Sequence, residues 1–63
     1  MTFNELVRLL RNNGFSLVRE KGSIRYYGKE GHPRLIRLDD HGSREVPQGT
    51  CRAILKAADI DKP

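Results

Sequence analysis

The residues best suited to chemistry form one short segment, in which Lys21, Gly22 and Ser23 are followed by Ile24 and Arg25. Glycine lets a phosphate approach the backbone closely, serine offers a hydroxyl, and the two basic residues supply positive charge. This composition predicts a phosphate-binding site, and the alternative is a β-turn with two solvated charges. Ile24 has no group that donates or accepts a proton, and from its residue type it is an ordinary strand residue packed in the core.

Two histidines, His32 and His41, are the side chains that exchange protons near neutral pH. His41 lies in a polar loop and is a weak candidate for a catalytic base, with an exposed loop histidine as the alternative. His32 precedes Pro33 in a turn, where we expect it to be solvated. Asp39 and Asp40 directly precede His41, but adjacent side chains in a loop rarely converge on one ion, so we predict no metal site.

Basic and aromatic residues elsewhere extend the candidate surface. Arg52 and Lys56 are four positions apart on a predicted helix, where like charges at this spacing are slightly destabilising, which favours an anionic partner. The alternative is a solubilising helix face. Tyr26 and Tyr27 follow Arg25 and are able to stack on unpaired bases, but in so short a chain we expect at least one of them in the core.

The composition of the 63-residue chain favours a polyanionic partner. Twelve Lys and Arg against eight Asp and Glu give a net charge of +4, and a positive surface attracts anions over a long range. The single cysteine, Cys51, forms no internal disulfide and is typical of a reducing cytoplasm. No apolar run is long enough to span a membrane, and the first residues lack a signal-peptide pattern. We therefore predict a cytoplasmic protein.

The helices that must position these side chains are recognisable from their periodicity. Two segments repeat apolar residues at i, i+3, i+4 and i+7, the spacing of one helical face. They are Phe3, Leu6, Val7 and Leu10, and then Cys51, Ile54, Leu55 and Ala58. Thr2 and Glu5 predict a capping box for the first helix. Pro47 suits the first turn of the second helix, which we expect to end near Ala58.

Three segments between the helices predict strands, at 15–20, 24–27 and 35–38, because they are rich in β-branched, aromatic and other apolar residues. The connections are too short for a helical crossover, so the strands should pair antiparallel. The predicted fold is α+β, in the order α-β-β-β-α, with two helices on one face of a three-stranded sheet and one domain over residues 1–63. This arrangement is similar to that of double-stranded-RNA-binding domains.

Six short motifs follow one another along almost the whole chain. They are Asn-Gly-Phe at 13–15, Lys-Gly-Ser at 21–23, Tyr27, the loop with His41, Pro-Gln-Gly-Thr at 47–50 and Arg-Ala-Ile-Leu-Lys-Ala-Ala at 52–58. Each motif alone is a weak signal. Their order and spacing together resemble the HicA toxins, small bacterial ribonucleases that cut messenger RNA.

The resemblance implies a metal-independent endoribonuclease that needs no cofactor and is covered by a HicB antitoxin. HicA chains normally carry a histidine after the Gly-Ser pair, and this residue performs the proton transfer, whereas this chain has Ile24. We therefore expect a HicA-type toxin with ribonuclease activity that is absent or much weakened. HicA-like chains also usually place a glycine after the second helix, and Asp59 at this position predicts a frayed end and a loose tail over 60–63.

The expected RNA contacts combine the Lys-Gly-Ser segment with nearby and helical residues. They are Lys21, Gly22, Ser23, Arg25, Tyr27, Arg52 and Lys56. The alternative function is a non-catalytic module that binds RNA or a HicB-like antitoxin. A general binder of double-stranded RNA is disfavoured, because it would need basic residues at the start of the second helix, and residues 47–50 supply none.

Overall fold

The computed structural model describes residues 1–60, which form five elements in the predicted order α-β-β-β-α. They are α1 (Phe3–Asn12), β1 (Ser16–Lys21), β2 (Ile24–Gly28), β3 (Ile36–Asp39) and α2 (Gln48–Ala57). The strands form one antiparallel sheet in the order β1-β2-β3. The α+β prediction is confirmed, and each strand boundary lies within one residue of its predicted position. None of the helices in this range has the length and apolar character needed to cross a membrane.

One face of the sheet carries the hydrophobic core. Tyr27 lies opposite Ile36 and Arg25 lies opposite Leu38 across β2 and β3, so these four side chains point to the same face. Tyr27, Ile36 and Leu38 are buried in a single cluster with apolar residues from both helices and two loops. The other members of the cluster are Phe3, Leu6, Leu10, Phe15, Val46, Ile54, Leu55 and Ala58. Both helices therefore cover this face.

The opposite face of the sheet is not covered by either helix. Tyr26 lies opposite Arg19 and Arg37, and Ile24 lies opposite Lys21 and Asp39. Because successive side chains of a strand alternate between faces, these two rows point away from the core. We call this surface the open sheet face and define it by its six central residues. They are Arg19, Lys21, Ile24, Tyr26, Arg37 and Asp39.

The Lys-Gly-Ser segment forms the tight turn between β1 and β2. Lys21 pairs with Ile24, which leaves Gly22 and Ser23 as the two residues of the hairpin loop. Gly22 has a φ of 61°, and two-residue hairpin turns need such a conformation at their first central position. The glycine is therefore required by the turn, and the turn places Lys21 and Ser23 at one end of the open sheet face.

The start of α1 agrees with the sequence prediction, whereas the end of α2 does not. The capping box is confirmed, since Thr2 Oγ1 accepts from the Glu5 N–H and Glu5 accepts from the Thr2 N–H. At the end of α2, the Asp59 N–H bonds to the Lys56 carbonyl and the Ile60 N–H bonds to the Leu55 carbonyl.

These two bonds form a Schellman motif with Asp59 in the left-handed conformation at a φ of 55°. The prediction of a frayed end is wrong, because Asp tolerates this conformation and Ile60 packs against the core. The rest of the predicted tail, residues 61–63, lies outside the described residues.

Asp59→Gly should raise the melting temperature of the protein. Glycine relieves the left-handed strain, and the substitution also removes a negative charge from a helix C-terminus. We expect a net gain of about 0.5–1 kcal/mol, or roughly 2–8 °C in a domain of this size. Asp59→Asn separates the two effects, because it removes the charge and keeps a side chain. A lower melting temperature for Asp59→Gly, measured by circular dichroism, would show that the side chain of Asp59 stabilises the fold more than its conformation strains it.

Candidate nucleic-acid interface

The β1–β2 turn holds Ser23 against the end of β3. Ser23 Oγ donates a hydrogen bond to Asp39 Oδ1 at 2.6 Å, and the Asp40 N–H donates to the Ser23 carbonyl at 2.9 Å. The hydroxyl of Ser23 is the main reason why the pKa of Asp39 lies below its ordinary value, and nearby His41 and Arg37 lower this pKa further. Asp39 is therefore a negatively charged, fixed hydrogen-bond acceptor at neutral pH.

Position 24 lies beside this carboxylate, at the start of β2. Ile24 lies opposite Asp39 on one neighbouring strand and Lys21 on the other. Its side chain is only partly buried and does not belong to the hydrophobic core. The interpretation of Ile24 as a core residue is therefore wrong. It occupies a partly exposed position on the open sheet face.

His41 contacts the same carboxylate from the loop after β3. Its Nε2 lies 3.3 Å from Asp39 Oδ2, and its ring stands edge-on to Phe3 with 5.3 Å between the ring centroids. The side chain is 47% exposed. Ser23, Asp39 and His41 thus form a continuous set of contacts with the carboxylate in the middle. Because a carboxylate that orients an imidazole is a common arrangement for proton transfer, this geometry keeps His41 as a candidate base.

The neighbouring Asp40 does not join this cluster. Its carboxylate accepts a hydrogen bond from the Gly42 N–H at 2.8 Å and faces the Arg25 guanidinium at 3.7 Å. Asp39, Asp40 and His41 therefore diverge, although they are consecutive. Within residues 1–60, no group of three or more His, Cys, Asp or Glu side chains is arranged to hold a metal ion.

Two predicted RNA contacts lie on the helix-covered side of the sheet. The Tyr27 side chain is 1% exposed and presents no surface to an RNA, so this prediction is wrong. Arg25 forms ion pairs with Glu20 at 3.1 Å and Asp40 at 3.7 Å. These two carboxylates neutralise the guanidinium and hold it at the edge of the core, away from the open sheet face.

The two basic residues of α2 form a separate surface. Arg52 and Lys56 are both exposed on the helix, and α2 packs on the covered side of the sheet. Lys56 lines a shallow groove together with Arg34 and His32. The fold therefore separates these two predicted contacts from Lys21, Gly22 and Ser23, instead of bringing all of them to one site.

His32 has a structural position that the sequence does not indicate. Its side chain is 10% exposed, with Nδ1 2.8 Å from the Arg34 carbonyl and Nε2 2.9 Å from the Ala57 carbonyl at the end of α2. Its ring stands edge-on to Phe15, with 5.3 Å between the centroids. The prediction of a solvated histidine is wrong. His32 ties the β2–β3 connection to a helix 25 residues further along the chain, a contact that no local pattern reveals.

Two arginines of the open sheet face were missed by the sequence analysis. Arg19 and Arg37 lie on either side of Tyr26, and the Arg19 guanidinium carbon is 5.9 Å from the centre of the tyrosine ring. A signal for them does exist in the sequence, because basic residues alternate at Arg19 and Lys21 in β1, and Arg37 lies between two apolar residues in β3.

The fold and the site define a small α+β domain with a basic, partly aromatic sheet face beside a Ser–Asp–His cluster. A family model described as "HicA toxin of bacterial toxin-antitoxin" matches residues 3–60. No curated protein matches the chain at a significant level. Because the match covers nearly the whole chain, the chain belongs to the HicA toxin family. Membership implies, in general terms, the role of toxin in a toxin–antitoxin pair, with an antitoxin partner and an RNA target.

Proposed function

We propose that this chain is a HicA-type toxin that binds messenger RNA in the cytoplasm, and that its endoribonuclease activity is absent or much weakened. The observation that carries the proposal is the family match over residues 3–60. The loss of activity follows from Ile24, which stands where the resemblance places the histidine of the family. A HicB-like antitoxin is the partner expected to cover the open sheet face.

The proposed chemistry explains why position 24 matters. Cleavage of RNA by its own 2′-hydroxyl needs a base that accepts the hydroxyl proton and an acid that protonates the leaving oxygen. Histidine serves both roles near neutral pH, and isoleucine serves neither. The reaction uses the ribose hydroxyl as its nucleophile, so it requires no metal or organic cofactor. His41 remains the weak candidate for residual proton transfer through its position beside Asp39.

The proposed phosphate contacts lie at the β1–β2 turn. A Cβ built on Gly22 would meet no atom within 4 Å, so the backbone of the turn is open to a ligand from outside. Lys21 and Ser23 are exposed on either side of Gly22, and the Ser23 hydroxyl donates its hydrogen to Asp39. A phosphate at this turn would lie next to position 24 and to Asp39. Arg52 and Lys56 are retained as a second, separate proposal for RNA contacts on α2.

The alternative function, a non-catalytic module for RNA or an antitoxin, is favoured by a specific observation. Val18 and Leu35 flank the open sheet face, and each is more than half exposed. Both side chains lie over Gly28, where an added Cβ would lie 3.1 Å from Leu35 and 3.3 Å from Val18. An exposed apolar pair next to a basic surface is typical of a protein-binding surface.

The purified chain should bind single-stranded RNA at low salt and leave it uncut in the presence of EDTA. Its affinity should fall linearly on a log–log plot against salt, with a slope of about −0.7 for each phosphate neutralised. Fluorescence anisotropy measures the binding, and denaturing electrophoresis of the same samples measures the cleavage.

Robust cleavage in EDTA would contradict the proposed inactivity. If His41→Ala then abolished this cleavage while Ile24→Ala did not, His41 would be the working base. Absence of RNA binding at low salt, together with capture of a HicB-like antitoxin, would favour the protein-binding alternative.

A further inference from the structure

We propose that the open sheet face is a platform for single-stranded RNA, on which an unpaired base stacks on Tyr26 between Arg19 and Arg37. This inference rests on the proposed function and specifies its substrate as unpaired RNA. It also moves the principal RNA contacts away from α2 and onto the sheet.

The first argument is the register of the sheet. Arg19, Tyr26 and Arg37 are direct cross-strand neighbours on β1, β2 and β3. Since neighbouring strands are about 4.8 Å apart, one cation stands at each side of the aromatic ring. The guanidinium carbon of Arg19 already lies 5.9 Å from the ring centre. Arg19 therefore lies over the tyrosine ring, and a base would stack on the exposed part of this Arg19–Tyr26 pair.

The second argument is the charge of this face. Its central residues carry three cations, Arg19, Lys21 and Arg37, and one anion, Asp39. One carboxylate oxygen of Asp39 accepts a hydrogen bond from the Ser23 hydroxyl at 2.6 Å. Glu20, the acidic residue of β1, lies opposite Arg25 and points to the covered side of the sheet. The open sheet face is thus complementary to a polyanion.

The third argument separates unpaired RNA from a duplex. A base within a duplex has both of its faces covered by neighbouring bases, so it leaves nothing for Tyr26 to stack on. Duplex recognition instead relies on phosphate and 2′-hydroxyl contacts spread over a long surface. The start of α2, at Gln48–Cys51, carries no basic residue that would extend such contacts. The chemistry of the sheet favours a splayed base flanked by phosphates.

The platform also leads directly to position 24. Tyr26 and Ile24 are two residues apart on the same face of β2, which corresponds to about 6.5 Å. A nucleotide stacked on Tyr26 would therefore bring the adjoining ribose next to position 24 and Asp39. The RNA platform and the position where the family carries its histidine form one continuous surface.

Tyr26→Ala should weaken binding of a short, labelled, non-self-complementary RNA by about 5- to 150-fold, because one base loses its stacking partner. Tyr26→Phe keeps the ring and should stay within about twofold of the parent protein. Arg37→Gln should lower the slope of the log–log salt plot by about 0.7, whereas Tyr26→Ala should leave the slope unchanged. The same RNA annealed to its complement should bind more weakly than the single strand, and Tyr26→Ala should change duplex binding little.

Arg11→Gln, an equal loss of charge on the exposed side of α1, is the matched control for Arg37→Gln. Circular dichroism melts establish that each variant is folded. The platform is rejected, with RNA binding intact, if Tyr26→Ala binds like the parent while Arg52→Gln or Lys56→Gln loses binding. Its restriction to unpaired RNA is rejected if Tyr26→Ala weakens single-strand and duplex binding equally. If the parent protein binds no RNA at low salt, the RNA role in the proposed function fails together with the platform.

Discussion

Ile24→His should cleave RNA without metal, at a rate well above that of the parent chain. A well-placed general acid or base contributes about 10²–10⁴-fold to the rate, and we expect a gain of this order. The partial burial of Ile24 makes the exchange less costly than the roughly 1.5–3 kcal/mol of a fully buried isoleucine, so the protein should remain folded. Cleavage is measured on labelled RNA in EDTA. Expression of Ile24→His should also arrest bacterial growth unless a HicB-like antitoxin is present.

The fold changes the expected pH dependence of this variant. From the sequence alone, Lys21 and Arg25 are the charges next to position 24, and both would favour a neutral imidazole. In the structure, Arg25 faces the other side of the sheet and is paired with two carboxylates, while Asp39 lies directly opposite position 24. A carboxylate directly opposite on the neighbouring strand raises the pKa of an imidazole, because it stabilises the protonated form. Adding Asp39→Asn should therefore shift the acid limb of the rate profile to lower pH.

Ile24→Gln is the matched control, since glutamine is polar but transfers no proton near neutral pH. It should bind RNA and leave it uncut. If Ile24→His is folded and binds RNA but does not cut it, the hypothesis that the chain lacks only the histidine at position 24 is wrong. The site would then be degenerate beyond position 24, and the chain would be better described as a binding module.

Tyr27→Ala should unfold the protein or destabilise it severely. The ring is fully buried between the sheet and the helices, and truncating a buried aromatic residue costs about 3–5 kcal/mol. A chain of this size has a free energy of unfolding of only about 3–9 kcal/mol. We therefore expect the melting temperature to fall by more than roughly 10 °C, or the cooperative transition to disappear in a circular dichroism melt.

Tyr26→Ala is the internal control for this prediction, because it removes the same amount of aromatic surface from the neighbouring residue. Tyr26 is only partly buried and lies on the open sheet face. The melting temperature of the Tyr26→Ala variant should therefore change by a few degrees at most. Tyr27→Ala should therefore lose stability, whereas Tyr26→Ala should remain folded and lose affinity for RNA. Equal destabilisation by both would contradict the assignment of the two faces.

The sequence by itself determined the elements, because their signals are local. The capping box of Thr2 and Glu5 and the period of apolar residues define α1 within the residues that form it. The sequence predicts the three strands to within one residue. Their β-branched and aromatic residues indicate the strands, and the turns between them mark where the strands end. The motif order also sufficed for the family, which the match over residues 3–60 confirms.

The faces of the sheet were decided only by the tertiary structure. In β2, the apolar residues Ile24 and Tyr26 alternate with Arg25 and Tyr27, so the strand alone favours burial of Ile24 and Tyr26. The fold does the reverse, because cross-strand register places Tyr27 opposite buried Ile36. A shift of one residue in this register would exchange every side chain between the faces.

The same long-range pairing decided the surroundings of the candidate site. Asp39 reaches position 24 from a strand fifteen residues away in the chain, and Ser23 and His41 meet on its carboxylate. Arg25 lies on the covered side of the sheet, where ion pairs with Glu20 and Asp40 neutralise its charge. Sequence patterns within a segment predict its conformation, but they do not predict which residues it pairs with across the sheet. The contacts that set charge and orientation at this site therefore exist only once the strands have paired.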